Sequence, residues 1–169
     1  MPDSLVRFIE AQDKFEMYER AIKELTDGRK NTHWIWFIFP QTSGIGSSHN
    51  ATYYGIQGIE EAKDYLKHPL LGPRYVEAMH IVHHKLLNER ISLLTLMSAE
   101  IDCLKFTSSL TLFSAALEKL SEDDSSLDVN LMRLEKYIDE LVNSKQIGTF
   151  LSSIYTILYK PIVRQQQLC

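Results

Sequence analysis

Apolar residues recur at helical spacing along most of this chain. Leu5, Phe8 and Ile9 make one stripe, with Asp3 or Ser4 placed to cap it. Phe15, Tyr18, Ile22 and Leu25 make a second between about Lys14 and Asp27, and Gly28 stands where such a helix stops. The same periodicity predicts helices near 50–57, 58–67, 71–88, 99–120, 128–143 and 146–159. His68-Pro69 breaks the chain after the second of these, Glu122-Asp123-Asp124-Ser125-Ser126 forms a polar linker, and Pro161 stops the last. Alternation of the strand type is absent. The pattern predicts an all-α fold: one domain over 1–169, a compact bundle of about seven to nine helices.

One segment departs from amphipathic patterning. His33-Trp34-Ile35-Trp36-Phe37-Ile38-Phe39-Pro40-Gln41 holds both tryptophans and is apolar on every side, so it must be enclosed nearly all round. Local rules leave buried helix and buried strand both open, because a short apolar run bounded by Gly and Pro fits either. Polar His33 and Gln41 bracket the run. A loop with Gly44, Gly46, Ser47, Ser48, His49 and Asn50 leaves it.

Composition narrows the classes. The 169 residues carry 18 basic and 22 acidic side chains, a net charge of -4, with no block of Lys and Arg. Nucleic acid is therefore not an expected partner, since phosphate binding wants a concentrated basic face. The longest apolar runs are too short to span a bilayer, and the start Met1-Pro2-Asp3-Ser4 lacks the pattern of a signal peptide. Cys103 and Cys169 lie far apart in sequence, which points to free thiols in a reducing, cytoplasmic compartment. Cys103 reads as a small core residue and Cys169 as an exposed thiol.

Candidate chemistry is scattered. His80 and His84 share a helix face at i, i+4, but Ile81 stands where a zinc protease has its Glu, so a His-rich surface is the plainer reading and no metal or cofactor is assigned. Gly44-Ile45-Gly46-Ser47-Ser48 lacks the ending of a phosphate loop, yet can present backbone N–H groups to an anion or simply turn the chain. Ser108, Ser109 and Thr111 cluster in an otherwise apolar helix after Asp102 and Lys105; they read either as a polar pocket wall or as hydroxyls bonded to backbone. His68, pushed out of helical geometry by Pro69, is placed to cap the next element. Arg74 near that helix's start opposes the helix dipole, so either an anionic ligand or a carboxylate from elsewhere in the fold must face it.

These residues together resemble a known family. The start Asp3-Ser4-Leu5-Val6-Arg7-Phe8-Ile9-Glu10-Ala11-Gln12, then Gly28-Arg29-Lys30, the aromatic block with Gly44 and Gly46, Tyr54, Glu61-Ala62 with Tyr65-Leu66, His68-Pro69 with Leu71-Gly72-Pro73-Arg74, and Asp102 with Leu104-Lys105 and Ser108-Ser109-Leu110-Thr111-Leu112-Phe113 follow the pattern of the family called domain of unknown function 1810. The resemblance covers about residues 3–117. It implies a compact helical domain with the aromatic run as a buried central helix, and no established activity. After Phe113 the chain departs from the family's usual ending, and two longer helices at about 127–160 take its place. A more distant likeness in layout is to the NADAR family, which acts on N-glycosidic bonds in ADP-ribose-linked or riboflavin-pathway compounds; its motifs are not reproduced closely enough to carry over catalytic residues.

The expectation is a domain that binds or hydrolyses a nucleotide or ADP-ribose-type small molecule, in the manner of an N-glycosidase. In that reading Arg74, Lys105 and the Gly44–Gly46 loop hold phosphate, and Trp34 or Tyr54 stacks a base. Gln41, Ser48, His68 and Ser109 complete the binding set, and His33 or Asp102 is the acid–base group. The alternative is a non-enzymatic interaction domain whose C-terminal helices bind a partner protein.

Overall fold

The computed structural model describes residues 2–123 and 127–153; the end of the last expected helix, Pro161 and Cys169 lie outside the described residues. The elements are α1 (Val6–Asp13), α2 (Met17–Asp27), α3 (Ile35–Ile38), α4 (His49–Tyr53), α5 (Ile59–Lys67), α6 (Leu71–His83), α7 (Leu93–Met97), α8 (Glu100–Asp123) and α9 (Val129–Val142), with residues 145–153 helical after them. Short 3-10 turns precede α1 and α2, and a π-type turn at His84–Asn88 closes α6. Among the described residues there is no strand, only an isolated parallel bridge between Thr42 and Ile56. None of the described helices is long and apolar enough to cross a membrane.

The aromatic run supplies the centre of the bundle. Only one turn of it is helical: Phe37 and Ile38 N–H donate to the Trp34 carbonyl and Phe39 N–H to that of Ile35, before Pro40 ends the ladder. Trp34, Ile35, Phe37, Ile38 and Phe39 are buried, while Trp36 alone is half-buried. Around them, rings from α1, α5, α6 and α8 meet edge-on or tilted: Phe39 and Phe106 centroids are 4.9 Å apart, Tyr75 and Phe113 4.3 Å, and Phe8 and Tyr65 5.2 Å. Gln12 bonds into this core, its amide donating to the Phe37 carbonyl at 2.8 Å and the Tyr65 hydroxyl at 3.1 Å.

Two elements differ from the periodic reading. Phe15 and Glu16 adopt left-handed backbone (φ 55° and 53°), so the second helix starts at Met17 and Phe15 swings out to 76 % exposure instead of joining the inward stripe. Helix α7 was not predicted, because five residues are too few to show a period. Ser92 caps it, its hydroxyl accepting from Thr95 N–H at 3.0 Å, and Leu93, Leu96 and Met97 are buried. At the far end, α9 buries Leu131, Leu134, Ile138 and Leu141, largely against α6, where His83 Nε2 lies 2.5 Å from Glu140 Oε2.

The stretch 41–58 is stitched back onto itself. Ile56 N–H donates to the Gln41 carbonyl at 2.9 Å and Ser43 N–H to that of Ile56 at 2.8 Å. A Cβ at Gly55 would stand 2.8 Å from Ser43 Cα and 2.9 Å from the Ala51 carbonyl oxygen, so only glycine permits this close return. Arg7 anchors the base of the stretch: its guanidinium is bidentate to Glu61 at 2.9 and 3.1 Å and donates to the Gly55 carbonyl at 3.1 Å.

Candidate functional site

A cavity of about 380 Å³ opens where α8 begins, between its first two turns, Trp36 and the loop 45–48. Ile101, Leu104, Lys105 and Ser108 fall at i, i+3, i+4 and i+7, so one face of α8 forms a wall. Ile45, Gly46, Ser47, Ser48 and Ala51 form the facing side, and Gln41 closes the inner end. The loop is held open by local bonds. Gln41 Nε2 donates to the Ile45 carbonyl at 3.0 Å, Ser48 Oγ accepts from Ala51 N–H at 3.2 Å as the cap of α4, and Gly46 takes φ 83°.

Lys105 ties the cavity to a charged cluster built from two chain segments. Asp102 lies 2.7 Å from Lys30 Nζ through one oxygen and 2.9 Å from Lys105 Nζ through the other. Burial pushes its carboxyl up, but the two lysines outweigh that and hold it below the usual carboxylate range. Lys105 also lies over the Trp36 ring, 3.9 Å from its centroid, a cation–π contact that fixes where the ammonium points. Lys30 is delivered by the turn after α2: its N–H donates to the Leu96 carbonyl at 2.7 Å and its carbonyl accepts from Ser98 Oγ at 2.6 Å.

Behind that turn stands Glu24. Its carboxylate accepts from Asn31 N–H (2.7 Å), Thr32 N–H (3.0 Å), Thr32 Oγ1 (2.8 Å) and Trp34 Nε1 (2.7 Å). Burial pushes this carboxyl up as well, and the hydrogen bonds from Asn31, Trp34 and Thr32 more than reverse it. Glu24 thus fixes the entry to the aromatic run.

The hydroxyls of α8 divide sharply. Thr107 and Thr111 bond back to the carbonyls of Cys103 and Thr107 at 2.8 and 2.9 Å, and Ser109 pairs with the Tyr75 hydroxyl at 3.1 Å. Ser108 Oγ, on a residue only 4 % exposed that lines the cavity, has no hydrogen-bond partner among the described residues.

Of the residues singled out from sequence, Gln41, Gly46, Ser48 and Lys105 line this cavity, and Asp102 is outside the lining but paired with Lys105. The others lie elsewhere. His33 and Gly44 are exposed and outside the lining. Trp34 is fully buried with its indole N–H on Glu24, and Tyr54 packs against Phe8 and Phe37. His68 caps α6, its Nδ1 accepting from Leu70 and Leu71 N–H at 3.2 and 3.3 Å. Arg74 pairs with Asp13 at 2.7 Å, donates to Gln12 Oε1 at 3.2 Å and covers the Tyr18 ring, so a carboxylate of the fold answers its charge. His80 and His83 lie against Tyr137, and among the described residues no cluster of three metal-ligating side chains occurs. Cys103 is buried in the core, where burial pushes its thiol up to about 12. Of the hydroxyl cluster read as a polar pocket wall Ser108 lines the cavity, and Trp36, Ile101 and Leu104 join the lining without having been singled out as site residues.

A model of the family described as "Protein of unknown function (DUF1810)" matches residues 2–141. The chain belongs to that family. The match runs to residue 141, through nearly all of α9, and so extends past residue 117, where the resemblance read from the sequence ended. Among solved structures, the DUF1810 chain is similar to the conserved hypothetical protein Rv1873 from Mycobacterium tuberculosis, at 34 % identity and a TM-score of 0.68, over 91 % of this chain and 98 % of that one. No curated protein matches it.

Proposed function

We propose that this DUF1810 domain binds a small organic molecule in the cavity between α8, Trp36 and the loop 45–48. The observation that carries the reading is the Ser108 hydroxyl: buried polar groups are almost always hydrogen-bonded, and this one, on a residue that lines the cavity, has no partner among the described residues. The volume lies at the low end of the roughly 300–1,000 Å³ usual for ligand sites, and mostly apolar walls with a few convergent polar groups are their usual chemistry. A nucleoside-sized compound is the largest that fits this description.

Binding is favoured over hydrolysis. Among the described lining residues Lys105 is the only one with a titratable side chain. Asp102 is held as a carboxylate between two lysines, which suits charge stabilisation and not proton donation. The phosphate-holding set of Arg74, Lys105 and the glycine loop is divided between two regions, which reduces the support for a nucleotide diphosphate or ADP-ribose as occupant. The alternative of a partner-protein surface has one feature in its favour, a more open groove between α8 and α9 rimmed by Glu118, Glu122, Glu135 and Asp139. Among the described residues no buried, unpartnered side-chain polar group lines it, which favours the cavity.

Ile101→Trp tests the reading. Ile101 is 58 % exposed at the rim, so the larger ring fills the mouth with little effect on folding, on the order of 0.5 kcal/mol. In a thermal-shift screen of nucleosides, nucleoside monophosphates, ADP-ribose and small aromatic acids and amides, at least one class is expected to raise the wild-type Tm and leave I101W unmoved. No stabilising compound, or equal shifts in both proteins, would overturn the proposal.

A further inference from the structure

We infer that the molecule bound in this cavity is a small apolar or aromatic monocarboxylate, its carboxylate received by Lys105 Nζ and Ser108 Oγ. The inference rests on the cavity being a ligand site and goes further, to the chemical class of its occupant.

The argument starts from charge. Two ammonium groups and one carboxylate sit together, with side-chain exposures of 6 % for Lys30, 12 % for Asp102 and 15 % for Lys105, and of the three Lys105 lines the cavity. Among the described residues neither lysine has a second carboxylate partner. A nearly buried cluster with a surplus of one positive charge is costly unless an anion completes it. Lys30 is enclosed by its own turn, whereas Lys105 lines the cavity, so the surplus is presented there. The Trp36 ring offsets part of it, as a quadrupole can, but supplies no acceptor.

The donor set then selects the anion. Lys105 and Ser108 lie three residues apart on the same face of α8, and Ser108 has its hydroxyl hydrogen to give. Gln41 Nε2 gives one of its two N–H groups to the Ile45 carbonyl, Ser48 Oγ accepts from Ala51 N–H, and Arg74 is taken by Asp13 and Gln12 away from the cavity. One ammonium and one hydroxyl match the two oxygens and single charge of a carboxylate. A phosphate, with three oxygens and up to two charges, is typically met by a bidentate arginine or a nest of backbone N–H groups, and no arginine is among the described lining residues. The remaining walls, Ile45, Ala51, Ile101 and Leu104, accept an apolar body.

Isothermal titration calorimetry with 2-naphthoate, 2-naphthamide and AMP on the full chain tests this. The acid is expected to bind about tenfold or more tighter than the amide, as a charge-assisted hydrogen bond requires. Lys105→Met, which leaves Asp102 paired with Lys30, and Ser108→Ala are each expected to bring the acid down toward the amide's affinity while the amide's own Kd holds. Equal Kd values for acid and amide on the wild type would overturn the carboxylate inference and leave the cavity a ligand site. AMP binding tighter than the acid would overturn it in favour of phosphate. Absence of binding by all three would count against both the inference and the ligand-site reading beneath it.

Discussion

Glu24→Ala is expected to cost about 3–5 kcal/mol of folding stability and to lower Tm by about 10 °C. The cost does not come from the removed atoms. It comes from the donors left behind: two backbone N–H groups, the Thr32 hydroxyl and the indole N–H of fully buried Trp34. Each buried donor left without an acceptor costs on the order of 1–3 kcal/mol, softened where water reaches the turn. Glu24→Gln should fall between, since the amide keeps one acceptor oxygen but aims a donor at donors. Acid gives an independent check. The Glu24 carboxyl is held below its ordinary value in the folded protein, so its contribution is fully present above the unfolded carboxyl range, about pH 4, and is lost as pH falls through the lower folded value. Melting curves from pH 7 to pH 2 should show wild-type stability falling below about pH 4, with that acid limb flattened in E24Q. A Tm for E24A within about 2 °C of wild type would show that the turn finds other acceptors.

The second large effect is an asymmetry. Asp102→Ala should destabilise by about 3 kcal/mol or more, because it leaves two nearly buried lysines side by side with no counter-charge. Lys30→Met should cost about 1 kcal/mol or less, since it removes the surplus charge and leaves Asp102 and Lys105 as a matched pair. Combining the two changes should recover part of the Asp102→Ala loss, as sites in contact are not additive. Chemical denaturation of the three variants measures this directly. If Lys30→Met proves as damaging as Asp102→Ala, the cluster is balanced by something other than Asp102, and the charge argument for an anionic occupant falls with it.

Much of the architecture was legible because burial writes a period into the sequence. The stripes on α5 and α6 and the density of large apolar residues at 34–39 left little choice but a helical bundle closed around that run. What the pattern could not carry was anything decided by a few backbone angles or by phase. Left-handed Phe15 and Glu16 ended one helix and began another without a glycine to mark it. Nor does the run reveal which of its two tryptophans emerges: Trp34 looks as ligand-ready as Trp36, yet the structure gives Trp34 to Glu24 and Trp36 to the cavity. Ser108 and Ser109 pose the same problem in smaller form. They are neighbours, turned about 100° apart on the helix, and only the face carrying Ile101, Leu104 and Lys105 tells which hydroxyl meets the cavity. That face is a readable signal once the cavity side of α8 is known. His68 and Arg74 show the opposite difficulty. A cap and a clamp use the same chemistry as a ligand site, and Arg74's partner Asp13 lies on a different helix, 61 residues away in sequence.

Amide NMR on uniformly 15N-labelled protein titrated with 2-naphthoate tests the central claim most directly. The account predicts shifts gathered at residues 45–48, 51 and 101–108, with His33, His68 and Arg74 unmoved. Shifts gathered on α9, spread without pattern, or absent at millimolar ligand would contradict it.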